Sequence, residues 1–247
     1  MQIYLSIDDT DNHESPGSGQ LAETLTKELQ KNSLTKRCSS ITRHQLFVHE
    51  NIPFTSHNSA MCFCAELAEF KLNDVIEYSE QFLINSSAPG SDPGLCVVKN
   101  EASLDKQALV DFGLLAKGTV LSKGQAYFLA STMGIHLSEH GGTGDGIIGA
   151  LAGTGLRIQG FDGRFRGWLN LGETGTLTTP SELCSHSFVD AVIDENGNTL
   201  APDAAVTISD SKVKTVHHHH QQVIPVTRDK ADTDSWRTLD RKEVKKF

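Results

Sequence analysis

Three aspartates fall within four positions where the run QIYLSI ends: Asp8, Asp9 and Asp11. Like charges this close repel, and a chain keeps them when a cation sits between. Mg²⁺ prefers carboxylate oxygens and commonly arrives with a phosphate. The competing reading is a turn whose Asp side chains cap the helix that follows. Far along the chain, HGGTGDGIIGALAGTGL (140–156) concentrates glycines ahead of a helix. Residues without Cβ let backbone amides approach an anion, and the helix start adds the positive end of a dipole. Gly141, Gly142, Gly144, Asp145 and Gly146 are therefore candidate phosphate contacts, with Thr10 counted among the nucleotide-binding residues. At Gly149 and Gly153 tight helix packing is an equal explanation. Gly144 to Gly149 spell G-x-G-x-x-G, but IHLSEHGG before them does not read as the strand a dinucleotide fingerprint requires. No G-K-S or G-K-T of a Walker loop occurs.

Other patterns offer other chemistry. His136-Leu137-Ser138-Glu139-His140 matches the H-x-x-E-H of inverted zinc peptidases, in which a helix puts both histidines on one face and the glutamate acts as base. That helix would run straight into Gly141-Gly142, so a loop beside a phosphate site suits these residues better. His217 to His220 form an internal run that could bind metal but is more often incidental. Asp9-Thr10-Asp11 partly fits the D-x-D of haloacid-dehalogenase-type phosphotransferases, with His13 where Thr or Val is expected. Arg43, His44 and His57 rank second, as acceptor or phosphate contacts or as surface residues.

The elements that would position these groups follow from periodicity. Ile3, Leu5 and Ile7 alternate with Gln2, Tyr4 and Ser6, the pattern of a half-buried strand. A loop, ESPGSG, leads to a helix over QLAETLTKELQKN, with Leu21, Leu25 and Leu29 on one stripe. CSSITRHQLFV, NSAMCFCAEL and LCVVKN read as strands. Residues 73 to 84 read as a helix capped near Asn73 or Asp74, and SLDKQALVDFGLLAK and KGQAYFLASTMG as two more. LRIQGFDGRFRGWLNL reads as a hairpin turning at FDGRF. Beyond residue 173 the composition shifts to Thr, Ser and Asp. AVIDENGNTL is a hairpin by its Asn196-Gly197, AAVTI and QQVIPVT are short strands, and the charged end is expected at the surface or partly mobile. The expected organisation is an α/β (mixed α+β) domain over 1–172 and a small β-rich C-terminal appendage over 173–247.

The 247 residues are 38% hydrophobic and 21% charged, an ordinary globular balance. A net charge of −9 is a poor footprint for a dedicated nucleic-acid binder. Five cysteines without a C-x-x-C pair indicate neither a disulfide framework nor a zinc knuckle, and Cys62 and Cys64 read as buried thiols. No leader precedes the first strand and no apolar run reaches membrane length, so a cytoplasmic protein is expected.

Several of these pieces occur in order in one family. IDDTD after the first strand, IPF near residue 53 with Asn58 beyond it, DPG at 92 to 94 and GDGIIGALAGTG resemble the kinase-like domain of the archaeal agmatinylcytidine synthetase that modifies an isoleucine tRNA. The resemblance covers about residues 1 to 170. It implies a domain that uses ATP and Mg²⁺ to phosphorylate a cytidine carbonyl oxygen before the amine of agmatine displaces the phosphate. The matching acids are Asp8, Asp9 and Asp11. The family's phosphorylatable threonine, in the loop after the acids, corresponds to Ser18. Larger members append an OB-fold and a zinc ribbon that hold tRNA; here about 75 residues follow, without a cysteine quartet. The expectation is thus an Mg²⁺–ATP-dependent phosphotransferase or ligase that does not modify tRNA by itself, with a nucleoside, RNA or small molecule as acceptor. Its rivals are a nucleotide- or RNA-binding regulator without turnover and a zinc hydrolase using His136, Glu139 and His140.

Overall fold

The computed structural model describes residues 1–52, 57–229 and 235–246. Pro53 and Phe54 of the IPF piece lie outside them. The fold is mixed α/β, and the chain divides into two compact units, 1–159 and 160–247. The change of composition at 173 lies inside the second.

The first unit runs β1 (Gln2–Asp8), α1 (Ser18–Lys31), β2 (Arg37–Cys38), β3 (Thr42–Gln45), β4 (Ser59–Glu66), α2 (Leu72–Ser86), β5 (Gly94–Lys99), α3 (Lys106–Leu115), α4 (Lys123–Met133), β6 (His136–Glu139) and α5 (Gly146–Gln159). A 3-10 turn over Glu69–Lys71 leads into α2, so Lys71 rather than Asn73 or Asp74 stands at its cap. The strands pair in the order β6-β5-β1-β4-β3, with β2 also on β4. These pairings are antiparallel.

Two expectations are corrected here. A strand, β6, does precede the glycine segment, but a dinucleotide fold needs a parallel sheet, which this is not. Strand β1 is also buried on both faces rather than half-buried. Ile3, Leu5 and Ile7 face the core under α1 and α2, while Tyr4 joins a second core with Cys62, Cys96, Ala150 and Leu151. Being flanked by β4 and β5, β1 is covered by helices above and below, so Ser6 is as buried as Ile7. Each fully buried Leu or Ile contributes roughly 1.5–3 kcal/mol of transfer free energy. That burial fixes where the acids at the strand end must stand.

Helix α5 reaches this sheet so closely because its inner face is nearly bare. A Cβ on Gly153 would come within 2.7 Å of the Ala60 Cβ and 2.8 Å of the Ser6 Oγ; away from the sheet, against α3, one on Gly155 would come within 1.9 Å of the Leu109 carbonyl oxygen. Packing thus accounts for Gly153.

The second unit contains β7 (Arg164–Phe165), β8 (Leu177–Thr178), α6 (Pro180–Leu183), β9 (Ala191–Ile193), β10 (Val206–Thr207), β11 (Val216–His218), β12 (Gln221–Arg228) and β13 (Trp236–Thr238). The order is β7-β11-β12-β13-β10-β8, with β9 parallel to β12. The hairpin expected over 156–171 does not form. Leu156 and Ile158 are buried as the last turn of α5, Arg164 pairs with Val216 and Leu169 bridges Val213. The Asn196-Gly197 hairpin does form, with Ile193 opposite Thr199. His219 and His220, both at positive φ, make the two-residue turn between β11 and β12. His217 is buried with its Nδ1 3.2 Å from the Asp162 carbonyl oxygen. The histidine run therefore builds a hairpin. The charged end is likewise folded in part: Thr238 and Val244 are buried.

Candidate functional site

Strand β1 delivers Asp8 to the sheet's edge level, paired with Gly94 of β5. The next residue, Asp9, takes a left-handed conformation (φ 49°), which Asp tolerates better than most residues. Its amide donates to the Asp8 Oδ1 at 2.9 Å. Thr10 then turns inward: its amide and hydroxyl lie 3.3 and 3.0 Å from the Ser18 Oγ. The Ser18 amide and hydroxyl donate to the Asp11 Oδ1, at 3.2 and 2.6 Å. Thr10, Asp11 and Ser18 thus form one knot that ties the acidic turn to the first turn of α1. Ser18 caps nothing; the Gly17 that precedes it makes no side-chain cap either.

The glycine segment approaches the same turn from the other side. His140 donates its amide to the Pro93 carbonyl oxygen at 2.9 Å, and Thr143 places amide and hydroxyl on the two Asp92 carboxylate oxygens. Gly142 (φ 54°) and Gly144 (φ 77°) adopt left-handed conformations. Their missing Cβ atoms would fall on the Asp92 and Glu139 carboxylates, 1.5 and 1.4 Å away. Gly146 and Gly94 meet backbone to backbone, since a Cβ on Gly94 would come within 2.2 Å of the Gly146 carbonyl carbon. A Cβ on Gly149 would strike the Asp8 Oδ2 at 1.6 Å. Glycine at 94, 142, 144, 146 and 149 is thus demanded by contacts within the chain, and these contacts bring the loop from Gly141 to Gly146 onto the acids.

Asp9 lies in the field of Asp92, Asp11 and Asp145, and Asp8 in that of Asp9 and Asp11. Burial first, then the neighbouring Asp9, pushes Asp8 up to about 8; the Asp9 amide opposes this and Asp11 adds to it. Burial, then Asp92 and Asp11, pushes Asp9 up to about 6, against a hydrogen bond from the Asp92 amide. Crowded carboxylates of this kind are relieved by a hard cation. The donors are oxygens, which suits Mg²⁺ and not zinc. Among the described residues, no three His, Cys, Asp or Glu side chains close into a metal-holding group. Mg²⁺ makes no such demand, because it usually takes one or two carboxylates and completes its shell with water and phosphate. The residues fit that open mode of binding.

Asp92 was not among the residues singled out from the sequence. Its signal was the DPG tripeptide before β5, which the sequence offered as a loop and as one piece of the family resemblance without giving Asp92 a role.

Of the H-x-x-E-H residues, His136 to Glu139 form strand β6 and His140 follows directly after it, so they do not make the helix of a zinc peptidase. On strand β6 the side chains alternate. His136, Ser138 and His140 line one face, with Ser138 Oγ 3.0 and 2.8 Å from the two Nε2 atoms and Glu80 of α2 3.2 Å from His136. Burial lowers both imidazoles below the usual histidine range. Glu139 points the opposite way, to Lys123 (2.8 Å) and the Tyr127 hydroxyl (2.9 Å). A base on the far side of the sheet from both histidines cannot serve a metal between them, so the zinc-hydrolase arrangement is not formed. Of the second-rank residues, His44 is fully buried with Nε2 2.7 Å from the Thr42 Oγ1, so it is no surface residue. Arg43 donates to the Ser59 Oγ at 2.9 Å. Through Met61 it shares a register row with Ile7, two strands or about 10 Å away. His57 is exposed.

An antiparallel α/β unit with an aspartate cluster at one strand end, closed by a glycine loop, defines the site. No protein-family model matches the chain, and no curated protein matches it in sequence. Solved structures do match in fold. They include a tRNA fluorescent labeling enzyme and TiaS in complex with an isoleucine tRNA and ATP, each with TM-score 0.54, 23% identity, 63% of this chain and 36% of that one covered. Apo TiaS, an agmatidine synthetase of that isoleucine tRNA, matches with TM-score 0.53 and 23% identity over 63% of this chain and 35% of its own. The match thus spans about a third of those proteins' length, and what it shows is a shared fold. Among the described residues no helix is long and apolar enough to cross a membrane.

Proposed function

We propose that this chain is an ATP-dependent enzyme of the ligase or phosphotransferase type that works with Mg²⁺. The observation that carries the reading is the crowding of Asp8, Asp9, Asp11, Asp92 and Asp145 at the point where the glycine loop meets the end of β1. Phosphoryl transfer asks a protein for positioning and for charge neutralisation. Bound Mg²⁺ supplies the latter. Asp9 and Asp11, both partly exposed, are the acids best placed to hold it, while the buried Asp8 supports Asp9 through its amide. Asp92 and Thr143 hold the glycine loop against the acids, and the start of α5 faces the same region with its positive dipole end. Ser18 orients Asp11 through a 2.6 Å hydrogen bond. Its hydroxyl is buried, which supports a positioning role over that of a phosphate acceptor.

The fold-sharing TiaS structures contain ATP and an isoleucine tRNA, and in one case AMPCPP and agmatine. This supports an acceptor of the nucleoside, RNA or small-molecule class and a part in RNA modification. The test is release of phosphate or pyrophosphate from ATP, with Mg²⁺, in mixtures of nucleosides, tRNA and polyamines. Acceptor-dependent release is expected. Tight ATP binding with no release under any mixture would instead make the chain a nucleotide-binding regulator.

A further inference from the structure

The aspartates crowd the place proposed for a triphosphate, and the sequence has no Walker lysine. The structure places a lysine at this spot from an unexpected direction. Lys123 is the first residue of α4, held at its base by a full capping box between Ser122 and Gln125. Its Nζ donates to Glu139 Oε2 at 2.8 Å and to the carbonyl oxygen of Thr143 at 2.5 Å. Thr143 is the residue whose amide and hydroxyl are bound by Asp92. The ammonium therefore touches the glycine loop itself, and Asp145 and Asp92 both act on it through space.

We propose that Lys123 is the phosphate-binding cation of this site, exchanging its contact with Glu139 for a phosphate oxygen when nucleotide enters; the inference rests on the ATP reading above. Three observations carry it. The lysine and glutamate side chains are 33% and 41% exposed, and an ion pair that wet is weakly held and easily exchanged. Glu139 keeps the Tyr127 hydroxyl when the lysine leaves, so it is not stranded. An ammonium has three donors and rotates freely on its stem, so the bond to Thr143 can persist while another donor turns to the phosphate. Glu139 in this account is a resting partner that holds the lysine at the loop.

The test is nucleotide binding by Lys123→Met, Lys123→Arg and wild type, measured by calorimetry with Mg²⁺ for ATP and by competition for adenosine, with thermal melts alongside. Lys123→Met should weaken ATP roughly ten- to a hundredfold, the worth of a charge-assisted hydrogen bond, and leave adenosine unchanged. Lys123→Arg should recover most of the loss. Unchanged ATP affinity in Lys123→Met, with wild type binding normally, overturns this inference alone. Equal weakening of ATP and adenosine, or a collapsed melt, assigns the lysine to loop structure and also overturns it. Wild type that fails to bind ATP removes the functional reading and this inference together.

Discussion

Asp92 binds both donors of Thr143, the amide through Oδ1 at 2.6 Å and the hydroxyl through Oδ2 at 2.7 Å, across 51 residues of chain. One carboxylate thus joins the loop before β5 to the glycine loop. It also charges the site, because Asp92 is the largest of the neighbouring charges acting on Asp9. Replacing it should loosen the loop and calm the acids at once. Asp92→Ala is expected to destabilise the fold by about 1–3 kcal/mol through the unsatisfied Thr143 amide. It should also raise amide exchange over 141–146 well above that of β1. Asp92→Asn, which keeps the acceptor for the amide, should fall between. Uniform exchange changes across the unit would deny the local link.

Acid titration offers a second check. Asp8 and Asp9 bind their protons more tightly in the folded protein (about 8 and about 6) than in an unfolded chain (3.8). Folding is then favoured at low pH. Their contribution is complete below about pH 4, fades as Asp9 ionises near 6, and is lost above about 8. For the buried Asp8 it is on the order of a few kcal/mol. The metal-free protein should melt at a higher temperature at pH 5 than at pH 9, and Asp8→Asn should flatten the upper part of that decline. A melting temperature that climbs with pH would show the acids are not crowded as described.

The glycines of α5 separate packing from chemistry. Gly153→Ala meets Ala60 and Ser6 on the sheet, one helical turn beyond the residue that touches Asp8, and should cost about 1–3 kcal/mol of stability with little change in nucleotide affinity. Gly149→Ala pushes on the Asp8 carboxyl and should lose both. Denaturant unfolding and ATP titration on the two variants make the comparison. Alanine at Gly142 or Gly144 would be uninformative, because positive φ and a carboxylate in the Cβ position forbid it whatever binds there.

Much of this was legible in the chain. The strand–acidic turn–helix order of residues 2–31 follows from the alternation of Ile3, Leu5 and Ile7 and from the leucine stripe of α1, which are local patterns. What escaped were the consequences of pairing. Nothing in QIYLSI says that β4 and β5 flank it, so the burial of Tyr4 and Ser6 was hidden. HLSE carries one histidine, a leucine, a serine and a glutamate, and no strand-forming run marks it. Only its pairing with β5 makes it a strand and sends Glu139 away from His136 and His140. The roles of Asp92, within the DPG piece, and of Lys123 were hidden for the same reason: each becomes part of the site through a contact with Thr143, distant in sequence.

The central claim is that the crowded aspartates exist to receive Mg²⁺ with ATP. Calorimetric titration of ATP, with and without Mg²⁺, into wild type and Asp9→Asn tests it most directly, because the substitution removes one charge and nearly preserves shape. Wild type should bind ATP only when Mg²⁺ is present. Asp9→Asn should lose most of that affinity while melting at the same temperature as wild type or higher, since like-charge repulsion is relieved. Equal ATP binding by the two proteins, or binding indifferent to Mg²⁺, would contradict the account and leave the acids as a structural turn.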